Sequence, residues 1–309
     1  QLTRLAAGKP PAGEDRPLPA IGLMLVAYLL FSFIDTGTKW LAMAAIPALQ
    51  LAFMRYIGHF CISLSLVGRG SFQLSRFACD RPVLVLLRGG LLMLSTVFNF
   101  FALRYLPLSL SRTILISAPI IVCALSWSLL REPVGPYRWF AIFLGFVGIL
   151  VAIRPFSEDF HWAVFLSLGG AVSFALYSIL TRKLSGIVPT DILQFYSGLV
   201  GTAVLLPFAL FEWQSPVDTF SWLVMISLGL FGWAGHELLT RAMGLAPPNL
   251  LMPFGYSFIL YLTLWSYLIF NDVPDAWTLL GAAIIIVAGL IIWFRERQVH
   301  RKRRLESLP

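Results

Sequence analysis

The feature that most constrains this chain is a series of apolar runs separated by short polar connections. A bilayer-spanning helix needs about 20 apolar residues, because the hydrocarbon core is about 30 Å thick and a helix rises about 1.5 Å per residue. Lipid offers no partners for backbone polar groups, so each run is expected to be helical. We predict ten spans, near residues 20–42, 47–67, 83–104, 107–130, 137–154, 162–181, 190–211, 219–241, 249–270 and 276–294.

Composition and charge agree with a membrane location. Of the 309 residues, 58% are hydrophobic and 12% are charged, whereas a soluble protein keeps roughly a quarter of its residues charged. The net charge is +8, but the basic residues, Arg88 among them, are assigned mainly to one face. This asymmetry follows the positive-inside rule and places both termini in the cytoplasm of a bacterial inner (plasma) membrane. We expect lipid, and no nucleic acid, as the surrounding partner.

The chain also repeats itself. Ala102–Pro107 (ALRYLP) resembles Ala242–Pro247 (AMGLAP), and Phe31–Lys39 resembles Phe174–Arg182. Each copy holds five spans, an odd number, so the second copy must enter the membrane from the opposite side. Inverted repeats are a signature of secondary transporters, which bind substrate near the midplane. We therefore predict an all-α membrane protein of ten transmembrane helices, arranged as two inverted five-helix repeats around a central cavity.

The repeat sets the expected domain boundaries. The fifth and tenth spans carry few polar residues and are predicted at the lipid-facing periphery, where they could mediate dimerisation, so a monomer or a homodimer is expected. The predicted segments are a flexible N-terminal arm (1–19), a first five-helix repeat (20–154), a linker (155–161), a second five-helix repeat (162–295) and a basic cytoplasmic tail (296–309).

One stretch of the first repeat carries a family pattern. From residue 102 to 155 the chain contains, in order, ALRYLPLSLS, the turn Ser117-Ala118-Pro119, LLREPVG, Gly145 and Gly148. With the basic residues Lys39 and Arg55, this resembles the drug/metabolite transporter superfamily, specifically its ten-helix exporters built from two EamA-type repeats. In the second half, Asn271-Asp272 stands where a Gly-Glu pair is usual.

The resemblance implies a carrier of small molecules. Its leading interpretation is a secondary transporter of aromatic or apolar amino acids, working as an exporter by alternating access. The alternative is a transporter of a larger metabolite or a cationic drug, such as a nucleoside or a cofactor. A cationic-drug carrier should offer a deep carboxylate, which would have to be Asp35 or Glu237.

Ionisable residues inside the spans are functional candidates, because a charge in hydrocarbon is costly. Asp35 and Lys39 are one turn apart and form either a neutralised pair or an outer gate. Arg55 could hold a substrate carboxylate or pair with Asp35, and Glu237 could couple protons or pair with Arg182 or Arg241. The gating or charge residues predicted are Asp35, Lys39, Arg55, His59, Arg112, His236 and Glu237.

Uncharged polar and aromatic residues near mid-depth are expected to surround the substrate, because small-molecule sites are mostly apolar with a few placed polar groups. Each would equally well pack against a neighbouring helix. The prolines at 119 and 253 interrupt spans equivalent under the repeat and are the predicted hinges. The substrate-binding residues predicted are Asn99, Ser117, Ser173, Tyr177, Tyr196 and Tyr256, and the hinges are Pro119 and Pro253.

Other functional classes fit less well. The four histidines show no metal-ligand spacing, and no GxSxG or HExxH motif occurs in a span. We therefore expect neither an enzyme nor a bound metal or cofactor. A channel would need a filter loop or rings of charge, and the sequence contains neither.

Overall fold

The computed structural model describes residues 17–68, 79, 81–118, 120–122, 124–125, 136–158, 160–184, 187–245 and 252–306. Over these ranges the chain is helical and contains no strand. The helices are α1 (Pro17–Met43), α2 (Ala48–Val67), α3 (Pro82–Ala102), α4 (Leu108–Leu115), α5 (Pro136–Ile153), α6 (Val164–Leu184), α7 (Thr190–Phe211), α8 (Thr219–Leu245), α9 (Ser257–Phe270) and α10 (Ala276–Glu306), with a 3₁₀ turn (Met252–Tyr256) before α9.

Each predicted span corresponds to one of these helices, so the predicted fold class is confirmed. Seven helices are long and apolar enough to cross a membrane, and α4, α5 and α9 belong to shorter apolar segments at Leu108–Val122, Trp139–Ile153 and Phe254–Phe270. Two helix ends differ from the predicted boundaries. The first helix begins at Pro17, within the predicted arm, and α10 runs to Glu306, so the first part of the predicted tail is helical.

Prolines and one asparagine set several helix ends. Pro47 and Pro189, equivalent under the repeat, precede α2 and α7 with nearly the same extended backbone (φ −61, ψ 138 and φ −57, ψ 146). Asn271 ends α9 with φ 51. Asparagine and glycine are the residues that tolerate this left-handed helix cap. Asn271 therefore ends the helix without the strain that most other side chains would cause.

Contacts between helices follow the inverted repeat. Exchanging the halves maps α1 onto α6, α2 onto α7, and so on to α5 onto α10. The contact between α1 and α8 then has its counterpart in α3 and α6, and that between α2 and α8 in α3 and α7. The contact of α1 with α9 corresponds to that of α4 with α6, while α2–α7, α4–α9 and α5–α10 each pair a helix with its own counterpart.

The helix ends gather at two ends of the bundle. Lys39 Nζ, late in α1, donates to the carbonyl of Leu106 after α3 at 2.8 Å, and Arg154 after α5 pairs with Asp275 before α10. We call this the distal end, and the end where α1 begins and α10 finishes the proximal end. The distal end is the predicted outer face. At the bundle's edge, α5 and α10 pack on each other and on α4.

Candidate substrate site and its charged residues

A buried salt bridge joins α1 to α4 near the distal end. Asp35 forms a salt bridge with Arg112, and their side chains are only 4% and 9% exposed. Asn99 on α3 donates from Nδ2 to Asp35 Oδ1 at 3.2 Å. Buried ion pairs are stabilising only when their remaining atoms are also satisfied. The amide of Asn99 supplies part of that satisfaction.

The same contact continues into the second half of the chain. Ser111 on α4 donates to Asn99 Oδ1 at 3.4 Å, and its hydroxyl lies 2.9 Å from that of Ser167 on α6. The guanidinium of Arg112 also lies 4.2 Å from the ring centroid of Phe258 on α9. We call Asp35, Asn99, Ser111, Arg112 and Ser167 the distal network. It links helices of both repeats.

Lys39 does not contact Asp35, the partner that helical spacing predicted. Its ammonium bonds the carbonyl of Leu106 and lies 5.8 Å from the ring centroid of Phe270. The expected pairing of Lys39 with Asp35 is therefore wrong, because Arg112 occupies that carboxylate.

Arg55 on α2 lies deeper in the bundle. It donates to the hydroxyl of Thr96 on α3, and its guanidinium lies 5.3 Å from the ring centroid of Tyr56. Its Nε is buried and has no hydrogen-bond partner among the described residues. The alternative in which Arg55 pairs with Asp35 is thus not realised.

Two histidines meet where α2 crosses α8. The rings of His59 and His236 have centroids 6.0 Å apart, and Phe31 on α1 lies 5.0 Å from His236. Glycines bring the helices this close, since a Cβ added at Gly58 would lie 2.8 Å from the Cα of Gly229. Small residues allow such backbone contact between membrane helices.

Arg88 on α3 is a buried charged residue that the sequence reasoning missed. Its Nε donates to Thr181 at 2.7 Å, Nη1 donates to Ser197 at 2.8 Å and to the Leu193 carbonyl at 3.1 Å, and Nη2 donates to Tyr177 Oη at 2.8 Å. The residue is 4% exposed and joins α3 to α6 and α7.

Arg88 lies near the start of α3, at the end predicted to be cytoplasmic, but it is not a surface residue. Because α3 begins at Pro82, Arg88 lies in the second turn and faces other helices rather than headgroups. Its position as a single cation in the apolar sequence VLVLLRGG could have identified it by the same rule that selected Arg55.

The residues predicted to bind substrate lie in several different parts of the structure. Asn99 belongs to the distal network, and Tyr177 holds Arg88. Ser117 donates to a carbonyl of its own helix at 2.6 Å, and Ser173 is buried on α6. Tyr196 packs beside Cys79, and Tyr256, in the 3₁₀ turn, packs against α10 at Gly289.

The remaining predicted residues lie away from these clusters. Glu237 pairs with Arg241 at 2.9 Å, one turn away, where both side chains are partly exposed. Pro253 lies in the 3₁₀ turn before α9. Pro119 lies outside the described residues, next to a turn at Ile116 and Ser117 that interrupts helical geometry after α4.

Comparison with known proteins gives a family match and a match to a solved structure. The model of the EamA-like transporter family matches this chain twice, over residues 18–154 and 161–294. A crystal structure covering 92% of this chain and 98% of its own superposes with a TM-score of 0.62 at 18% identity, which supports the fold alone.

Three curated relatives are similar along nearly the whole chain. An S-adenosylmethionine uptake transporter from Rickettsia bellii is 28% identical, covering 92% of this chain and 96% of the relative. A riboflavin transporter from Vibrio cholerae is 28% identical, covering 94% and 98%. A pseudopaline exporter from Pseudomonas aeruginosa is 28% identical, covering 87% and 94%.

Proposed function

The chain belongs to the EamA-like transporter family, and from this we propose that it is a secondary transporter that moves a cofactor-sized metabolite across a membrane by alternating access. Membership makes it a multi-pass membrane transporter of small metabolites. The substrate class, the gate and the site residues are the proposal. We further propose that the distal end faces outward, as the charge asymmetry predicts.

The observation that carries the proposal is the distal network. Its buried salt bridge joins α1 to α4 within the first repeat, and the Ser111–Ser167 contact and the Arg112–Phe258 contact connect α4 to the second repeat at the same end of the bundle. A protein that alternates between two openings needs an interface between halves that can close one end at a time. Movement of α4 away from α1, α6 and α9 would break these contacts and open the distal end, so we assign the distal network as the distal gate.

The size of the substrate is inferred from the relatives. Two of them are transporters of S-adenosylmethionine and of riboflavin, and each of these compounds combines a flat heteroaromatic ring with a hydroxylated, sugar-derived group. Rings of Phe31, Tyr56 and Tyr177 lie beside His236, Arg55 and Arg88, and aromatic surfaces suit such rings. Free aromatic or apolar amino acids, the leading interpretation from sequence, gain no support from these relatives.

The direction of transport is part of the proposal. The relatives include uptake transporters and an exporter, so similarity does not favour the export predicted from sequence. We propose that the gradient of the substrate sets the direction.

The test is transport by purified protein in proteoliposomes. Radiolabelled S-adenosylmethionine, riboflavin, phenylalanine and leucine would be offered with and without a pH gradient, with protein-free liposomes as the control. We expect saturable uptake of one of the first two, accelerated by the same unlabelled compound on the opposite side. Uptake of the amino acids alone would contradict the proposed substrate class. Flux that neither saturates nor shows counterflow would indicate a channel.

A further inference from the structure

We infer that the transported molecule carries an oxyanion, a carboxylate or a phosphate, which binds the guanidinium of Arg55; this rests on the proposed function. The inference starts from the charges at membrane depth. Three carboxylates lie in the described spans. Asp191 is exposed in the first turn of α7, Asp35 is bonded to Arg112, and Glu237 is bonded to Arg241 where both are partly exposed. Among the described residues, Arg55 and Arg88 therefore have no carboxylate partner, although charges inside a membrane are almost always paired.

The two arginines differ in how many of their hydrogen-bond donors are bonded to neutral groups of the protein. Arg88 makes four hydrogen bonds to two hydroxyl side chains, a phenol and a carbonyl, and it stacks on Tyr177. It is a fixed cation whose donors are largely occupied. Arg55 bonds Thr96 and contacts Tyr56, and its buried Nε has no hydrogen-bond partner among the described residues. A guanidinium has five donors, so Arg55 has the capacity to bind a ligand.

The residue beside the unoccupied donor has no side chain. Gly232 on α8 faces Arg55, and a Cβ at this position would lie 3.4 Å from Arg55 Nε. The glycine thus leaves open the volume that any other residue would fill next to the guanidinium.

The charge around this position also favours an anion. Arg55 lies one turn from His59 on α2, the ring of His59 lies 6.0 Å from that of His236, and the contacts of Arg55 among the described residues include no carboxylate. Arg112 provides the internal comparison, because the same residue type in the same bundle is completed by a carboxylate of the protein itself. The described residues supply no such group to Arg55, and a planar fork favours a carboxylate or a phosphate.

The experiment compares matched probes that differ only in the oxyanion. S-adenosylmethionine is paired with its decarboxylated analogue, and riboflavin 5′-phosphate with riboflavin, each as a competitor of uptake in proteoliposomes. Charged hydrogen bonds of this kind correspond to about a 10- to 100-fold preference. We expect wild-type protein to prefer the oxyanion-bearing member of the pair that it recognises by about tenfold or more. The preferred pair identifies carboxylate or phosphate as the source.

Variants separate the role of Arg55 from general loss of charge. Arg55→Gln should abolish the preference, and Arg55→Lys should retain part of it. Arg104→Gln removes an exposed arginine near the distal end and should leave the preference unchanged. Equal competition by both members of each pair in wild-type protein would overturn the inference and leave the proposed function standing. Transport of amino acids alone would instead contradict the proposed substrate class.

A second measurement does not depend on transport or on the correct substrate. Phenylglyoxal reacts with accessible guanidinium groups, and mass spectrometry reports the modified residues. We expect Arg55 to be modified, Arg88 to be protected by its bonds, and inorganic phosphate or acetate to slow modification of Arg55 severalfold at constant ionic strength. Modification of Arg55 at the same rate with and without these anions would refute an oxyanion site there.

Discussion

Replacing Asp35 by asparagine isolates the charge of the distal network. Asparagine keeps the size of the side chain and a carbonyl that can accept from Asn99, but it removes the counter-charge of Arg112. Removing one partner of a buried ion pair costs about 3–5 kcal/mol. Solvent screening lowers this energy only slightly, because the two side chains are 4% and 9% exposed.

The loss of stability caused by Asp35→Asn can be measured as a fall in Tm in detergent. At about 2 °C per kcal/mol, the lower value for chains of 150–250 residues, the change corresponds to a fall in Tm of about 6–10 °C. The matched control is Asp275→Asn, which breaks the exposed pair with Arg154 at the same end, where the side chains are 43% and 26% exposed. Exposed pairs contribute about 0–1 kcal/mol, so the control should lose about 2 °C or less.

The same substitution tests the assignment of a gate. A loss of about 3 kcal/mol from the closed distal end would shift its equilibrium with the open form by more than about 100-fold. A cysteine at Thr38, which is fully buried on α1, would report this as faster labelling by a membrane-impermeant thiol reagent. The background would lack the native cysteines Cys61, Cys79 and Cys123.

A double substitution decides whether the effect belongs to the ion pair. Arg112→Gln combined with Asp35→Asn removes both charges, so the double variant should be more stable than Arg112→Gln or Asp35→Asn alone. If the two single losses simply add, or if Asp35→Asn changes neither Tm nor labelling, the Asp35–Arg112 pair does not stabilise the closed distal end.

Three further substitutions test packing, buried charge and a helix terminus. Gly58→Leu should lower Tm and transport because its side chain would meet the backbone of α8, whereas Gly90→Ala, with nothing within 4 Å of its Cβ, should be neutral in the same assays. Arg88→Lys should reduce transport by about tenfold or more, since an ammonium cannot replace four directed hydrogen bonds; unchanged transport would make those bonds dispensable. Asp218 accepts from the amide and hydroxyl of Ser221 at the start of α8, which holds the pKa of its carboxyl below the ordinary 3.8. Its stabilising effect is present above that value and is lost as pH falls through the lowered pKa. The amide protection factors at the start of α8, corrected for the intrinsic exchange rate at each pH, should therefore fall at low pH in wild type but not in Asp218→Asn.

Several residues show why local spacing did not identify contacts. Asp35 and Lys39 are one turn apart, and spacing alone made them partners, but the carboxylate is bonded to Arg112 on another helix. Helix spacing limits which residues share a face, while neighbouring helices determine which partner is nearest. Tyr177 was selected for its depth, but only the packing of α3 against α6 and α7 shows that it holds Arg88.

The sequence by itself determined the ten apolar helices and the inversion of the second repeat, because bilayer thickness fixes the length of a span and an odd number of spans reverses the direction of the next copy. Only the tertiary structure decided which charges are satisfied. It bonded Arg112 to Asp35, surrounded Arg88 with neutral acceptors and left Arg55 Nε beside the space at Gly232. The physical reason is that hydrogen bonds and ion pairs depend on distances of a few ångströms between helices, which hydrophobic periodicity does not encode.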